Sequence, residues 1–320
     1  MKRTLTAAGS ALAAIALVAS PATAQGETIL DRQFHSDSID PQFVALGETC
    51  LTAASGDNPM ACEEGLTGPI PELGEEKGYL LLTDESKFAA GGFVYNEAIE
   101  AEDGIQVRFA QYQYGGTGAD GISFFLADGS ENLTDVGAMG GSLGYAQHID
   151  EPGVDGGFIG LGIDAWGNFS ADTENRGNGC PADQRAPSFL QEEGNRAPDN
   201  VALRGPGEGD EGYCLLATTA TEEVVETTDD GTIYGTDFPD SVRADSLEEA
   251  KRLVRLTVSG HDEPRVTVEM DFLNGAGWQT MLETTVDHEA PSSYKFGFAA
   301  STGAATDVHL LRHLSVRTLG

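Results

Sequence analysis

Two stretches of this chain hold the residue types best suited to chemistry. Asp164-Ala165-Trp166-Gly167-Asn168, followed by Asp172, sets two carboxylates, a side-chain amide and a loop carbonyl at tight spacing. Hard oxygen donors in that pattern suit an oxygen-loving cation such as Ca2+. Gly118-Ala119-Asp120-Gly121 runs into the apolar segment Ile122-Ser123-Phe124-Phe125-Leu126, so a carboxylate stands in a glycine-rich turn at the mouth of a strand. There it can accept hydrogen bonds from a ligand's hydroxyls. A sugar ring offers hydroxyls for paired polar contacts and a C–H face for an aromatic ring, and a carboxylate, an amide and an indole serve those needs. The plainer reading is a polar turn, since Asp, Asn and Gly are common in turns.

The elements that must carry these loops read as strands. Val266, Val268, Met270 and Phe272 alternate with polar residues, as do Tyr294, Phe296 and Phe298, Val254, Leu256 and Val258, and Ile105, Val107 and Phe109. Period two marks half-buried strands. The continuous apolar runs Ile122–Leu126 and Phe158–Ile163 suit strands in mid-sheet, covered on both sides. Glycine, with 41 copies, punctuates the pattern together with Asp and Asn. Helical periodicity is confined to Asp245–Lys251, where Ser246 is placed to cap a single turn. The pattern is all-β, a sandwich or jelly roll, with no internal boundary. The acidic stretch Thr218–Asp240 reads as a long surface excursion.

Lys2, Arg3, an apolar run over Ala11–Ala19 and Ala22-Thr23-Ala24 have the form of a secretory signal peptide over residues 1–24, cleaved before Gln25. One domain then covers 25–320. No stretch approaches the ~20 apolar residues of a membrane-spanning helix, so no membrane insertion is expected. Against 18 Lys and Arg stand 52 Asp and Glu, a net charge of −34 that repels nucleic acid and anionic lipid. Four cysteines in an exported chain are most simply two disulfides. Local pairing gives Cys50–Cys62 and Cys180–Cys214, among three possible connectivities.

Four motifs occur in an order that resembles the L-type, legume-like lectins. They are Gly118-Ala119-Asp120-Gly121-Ile122, Gly140-Gly141-Ser142-Leu143-Gly144-Tyr145, Ile163-Asp164-Ala165-Trp166-Gly167-Asn168 and Phe296-Gly297-Phe298-Ala299-Ala300-Ser301-Thr302-Gly303. The later segment Pro198-Asp199-Asn200-Val201-Ala202-Leu203-Arg204-Gly205-Pro206-Gly207 is similar to bacterial lectin-like domains. Each motif alone is weak, and their order across the chain is the signal. The resemblance implies a concanavalin-like jelly-roll β-sandwich of two antiparallel sheets, with four loops forming a shallow sugar site. It implies that Asp120, after a cis peptide bond, accepts from two sugar hydroxyls, and that Gly141 lends a backbone N–H. Asn168 then donates and accepts, and the Trp166 ring lies on the sugar. The loop at Thr302, Gly303 and Ala304 shapes selectivity. Calcium is held by Asp164, Asp172, the Asn168 side chain and the Trp166 carbonyl, with Glu174 or Asp183 as substitutes for Asp172. Family members with a second, transition-metal site carry a glutamate where this chain has Gly162, so calcium alone is expected.

The expected function is non-catalytic, calcium-dependent binding of glycans or polysaccharides by a secreted or periplasmic protein, for which assembly into a homo-oligomer would add avidity. The rivals are a β-sandwich glycoside hydrolase or lyase and an adhesion module without a sugar pocket. Gly140-Gly141-Ser142-Leu143-Gly144 fits GxSxG, but that nucleophile elbow needs a strand-to-helix turn. Glu269-Met270-Asp271-Phe272-Leu273-Asn274 nearly matches a glucanase carboxylate strand, but Asn274 stands where the second working carboxylate is required. Six histidines, at 35, 148, 261, 288, 309 and 313, form no ligand spacing. Asn132-Leu133-Thr134 and Asn168-Phe169-Ser170 match the glycosylation sequon.

Overall fold

In the computed structural model, residues 26–74, 78–100, 102–260 and 263–320 are described; residues 1–24, where a signal peptide is expected, the expected cleavage point at Gln25, and His261 lie outside them. The four alternating segments and the runs Ile122–Leu126 and Phe158–Ile163 fall on strands, with Phe272 one residue past the end of its own, and among the described residues the strands form two large antiparallel sheets of eight and nine strands. One sheet runs Gln279–Thr285, Arg265–Asp271, Arg252–Val258, Ile105–Tyr114, Val308–Thr318, Leu80–Thr83 and Cys50–Leu51, with Thr28–Arg32 also on Val308–Thr318. The other places Gly157–Asp164, Gly121–Asp128, Ser293–Ser301, Ala90–Glu100 and Phe43–Gly47 side by side, and Asn200–Arg204 also pairs with Gly157–Asp164. This is the jelly-roll β-sandwich expected from the sequence.

The core follows from the pleat, which sends successive side chains to opposite faces. Phe124, Leu126, Leu161 and Ile163 face the first sheet, within a cluster that includes Val107, Phe109, Val254, Leu256, Phe296 and Phe298. Phe125 and Ala127 point the other way, into a second cluster with Tyr145, Phe169 and Tyr213 from the covering loops. Both faces of Gly121–Asp128 are thus dry, which accounts for its unbroken apolar run.

Two glycines let the covering loops lie flat on the sheet. A Cβ at Gly160 would stand 2.1 Å from Cδ1 of Tyr145, and one at Gly162 2.2 Å from Cδ1 of Phe169. Phe169 therefore fills the ground a side chain at position 162 would need, and leaves no room there for a metal-binding glutamate.

Cys50 bonds to Cys62 and Cys180 to Cys214. Among the described residues the helical elements are two short 3-10 turns, Gly140–Ser142 and Ser188–Leu190. Asp245–Lys251 is a non-helical turn in which Glu249 and Ala250 both donate to the Ser246 carbonyl, at 3.2 and 3.0 Å. The acidic excursion is a hairpin, Ala220–Thr228 with Gly231–Thr236. It carries backbone contacts to Arg196, whose N–H donates to Thr232 O (3.1 Å) and whose carbonyl accepts from Tyr234 N (2.9 Å).

Candidate functional site

Strand register brings the site residues together at one end of the nine-stranded sheet. Gly121 pairs with Asp164 on one side and with Ser301 on the other, so Asp120 lies between the third and fourth loops. Its backbone ties both: Asp120 N–H donates to Ser301 O (2.8 Å), and Asp120 O accepts from Trp166 N (3.0 Å). The Ala119–Asp120 peptide is cis. Ser301 Oγ donates to Asp120 Oδ2 at 3.0 Å and lies 3.2 Å from Gly140 O, adding the second loop. A Cβ at Gly303 would stand 3.5 Å from Asp120 Oδ1. One at Gly141 would meet Asn168 Cβ at 2.5 Å and Arg176 Nη1 at 3.1 Å. Asp120, Gly141, Asn168 and Gly303 thus share one junction. Thr302 is spent on structure, donating to Ser86 O (2.6 Å) and accepting from Ala89 N (2.9 Å).

Burial sets the electrostatics. Asp120 is 7% exposed, and loss of water raises its carboxyl above the ordinary aspartate value against the opposing pull of Ser301 and Arg176. Oδ1 of Asp120 accepts no hydrogen bond among the described residues, and the Asn168 side-chain amide makes none. Both keep unused hydrogen-bonding capacity. Asp164, 1% exposed, is pushed up to about 7, chiefly by burial and also by Asp120. It folds its own loop, accepting from Gly167 N and Phe169 N, each at 2.7 Å.

Two of the expected site residues meet partners that their spacing did not announce. The four donors expected for calcium do not fit it as a set. Asp172 accepts from Arg185 Nε (2.7 Å), Ala186 N (2.8 Å) and Arg204 Nη2 (3.2 Å), so its charge is already neutralised by guanidinium groups. Of the suggested substitutes, Glu174 is paired with Arg176, and Asp183 is exposed. Trp166 is also not bare: the Arg196 guanidinium covers one face of its ring, 3.9 Å from the centroid. The acidic hairpin thus reaches the site through Arg196.

The sequence patterns for catalysis meet structural partners. Buried Ser142 donates to Gln147 O (2.8 Å) and accepts from Arg176 Nη1 (3.2 Å). Glu269 is held in a two-point pair with Arg255. His309 is buried against Thr83, and His148 stands 3.5 Å from Glu174. A cavity of about 590 Å³ lies elsewhere, between Gln184, Pro206 and His288, and includes none of the predicted binding residues.

Sequence reasoning missed the arginines that bolt the loops. Arg243 forks onto Asp307, Nε to Oδ2 and Nη2 to Oδ1, both at 2.7 Å, and Asp307 Oδ1 also accepts from Gly116 N (3.0 Å). The first and fourth loops are joined there. One signal was available: 13 of the 18 basic residues are arginine, the side chain suited to buried, forked contacts.

No family model matches the sequence, and no curated protein matches it. Solved structures do. The metal-free form of the VIP36 exoplasmic/lumenal domain has a TM-score of 0.51 at 12% identity, covering 91% of this chain and 92% of that one. Its Ca2+/Man2-bound form has a TM-score of 0.50 at 12% identity, over 91% and 87%. The Emp47p carbohydrate recognition domain has a TM-score of 0.50 at 11% identity, over 93% and 99%. Likeness at such identity is a likeness of fold, and it agrees with the two large antiparallel sheets. The chain has the L-type lectin fold.

Proposed function

We propose that this protein is an exported, non-catalytic carbohydrate-binding protein of the lectin type. The observation that carries the reading is Asp120, a buried carboxylate with one oxygen unspent at the junction of four loops, beside the unspent amide of Asn168. An acceptor held mostly out of water gains from donors that a ligand supplies, and paired sugar hydroxyls supply two. Gly141 and Gly303 keep the floor open, and Trp166 with its stacked Arg196 forms one wall. Of the solved neighbours, the VIP36 domain is described in a Ca2+/Man2-bound form and the Emp47p domain as a carbohydrate recognition domain.

Binding without chemistry is supported by the neutralised Glu269 and the fully engaged Ser142. Export is supported by the signal-peptide pattern and two disulfides. Among the described residues no helix is long and apolar enough to cross a membrane. The binding role of Asp120 does not pass through an ion. A glycan array probed with wild type and Asp120→Asn tests the reading. Sugar ligands lost in the variant support it. A wild type that binds nothing leaves the adhesion module, and a variant that binds like wild type refutes the assignment of Asp120.

A further inference from the structure

The third loop crosses buried ground from Asn168 to Asn178, and two side chains of the protein itself hold it. Arg204 and Arg176 are both essentially unexposed. From the strand Asn200–Arg204, Arg204 donates to Phe169 O (2.7 Å), Ala171 O (2.8 Å), Tyr213 O (2.8 Å) and Asp172 Oδ1 (3.2 Å). Arg176 donates to Ala171 O (3.1 Å), Ser142 Oγ (3.2 Å), Thr173 Oγ1 (2.9 Å) and Glu174 Oε2 (2.8 Å). The Ala171 carbonyl receives both. Burial brings Arg204 down to about 10, so it stays charged at neutral pH. Arg176 acts on Asp120 and Asp164 as a favourable positive charge. Two of the loop's carbonyls, those of Phe169 and Ala171, and the carboxylates of Asp172 and Glu174 are therefore already held by fixed positive charges.

We propose that the guanidinium groups of Arg176 and Arg204 are the loop-organising cations of this protein, so that the site assembles without a bound divalent ion. Arg204 gathers the loop onto the sheet. Arg176 ties it to the second loop through Ser142, which makes it a positioning residue for Gly141 and Asn168. Only the sugar-binding arm of the test rests on the lectin reading.

The mature wild-type chain is melted in millimolar calcium and in EDTA. A shift under about 1 °C is expected, whereas an ion bound at 100 times its Kd would raise Tm by about 5 °C. A calcium-dependent rise of that size overturns the proposal. Arg204→Met should lower Tm by at least about 5 °C with no recovery in calcium, and recovery in calcium overturns the proposal. If that variant does not fold, Arg176→Gln is measured the same way, and Arg176→Lys should recover part of its loss. Array ligands of the wild type should persist in EDTA, and their loss counts against the proposal. A wild type that binds no glycan defeats the lectin reading, while the melting comparison still decides this one.

Discussion

Asp120 and Asp164 stand at the ends of neighbouring strands and divide one task. Both are buried and both carboxyls are raised, yet Asp164 gives each oxygen to an N–H of its own loop while Asp120 leaves one free. One is spent on its own loop, and the other is assigned to a ligand by the proposed function. Asp120→Asn should therefore abolish glycan binding with Tm kept within about 2 °C, because no structural donor is orphaned except Ser301 Oγ. Asp164→Ala leaves two buried N–H groups unpaired at about 1–3 kcal/mol each, so stability and binding should fall together. Calorimetric melting beside an array separates the two patterns, and a large Tm loss in Asp120→Asn would reverse the assignment.

Gly162→Ala should destabilise the fold by about 1–3 kcal/mol, since its Cβ would meet the Phe169 ring at 2.2 Å. Adding Phe169→Leu should return part of that loss. Denaturant titration of the single and double variants measures the coupling, and strict additivity would show that the ring is not the obstacle.

Arg243→Met strands the carboxylate of Asp307, which is fully buried. The loss should be about 3 kcal/mol, at the lower end for a broken buried pair because the guanidinium side is 21% exposed. The first and fourth loops separate in this variant, so glycan affinity should fall with stability. Unfolding free energies and array signals check both halves.

His309 supplies a pH dependence whose sign is fixed. Burial, with the charge of Arg243, brings it from 6.5 down to about 3 in the fold. Between those values the unfolded chain takes up a proton that the native one refuses. Its contribution is thus absent above about pH 6.5 and destabilises progressively as pH falls toward about 3, at up to ~1.4 kcal/mol per unit. His309→Gln should remove that slope, so the stability gap between variant and wild type should shift in the variant's favour on acidification. Equal slopes from urea titrations near neutrality and in mild acid would contradict this.

Glu269→Gln should alter neither glycan binding nor any release of reducing sugar, and should cost at most about 1 kcal/mol, because its partner Arg255 lies on the outer face of a sheet. Reducing-end release that is present in wild type and lost in this variant would restore the hydrolase reading.

The fold was legible because strands write their faces into the sequence at period two, and the meeting of the candidate loops because Asp120, Trp166 and Asn168 lie beside strands that register aligns. Asp172 shows the limit. Its spacing from Asp164 suited a ligand, but its partners arrive from Arg185 and Arg204, and no local pattern announces a guanidinium that crosses the fold. Arg176 and Arg243 were illegible for the same reason. Gly162 was visible as a departure, but its cause, the Phe169 ring, was not. Arg196 over Trp166 depends on a hairpin that the sequence offered only as an acidic excursion.

The ring seated on Gly162 also restricts where this sequence can go. A glutamate cannot be installed there by one substitution, since the aromatic next to it must shrink in the same step and every intermediate is handicapped. Any descendant seeking another metal at this point faces a two-step path with a valley between, while the outer rim of the loops stays free to vary.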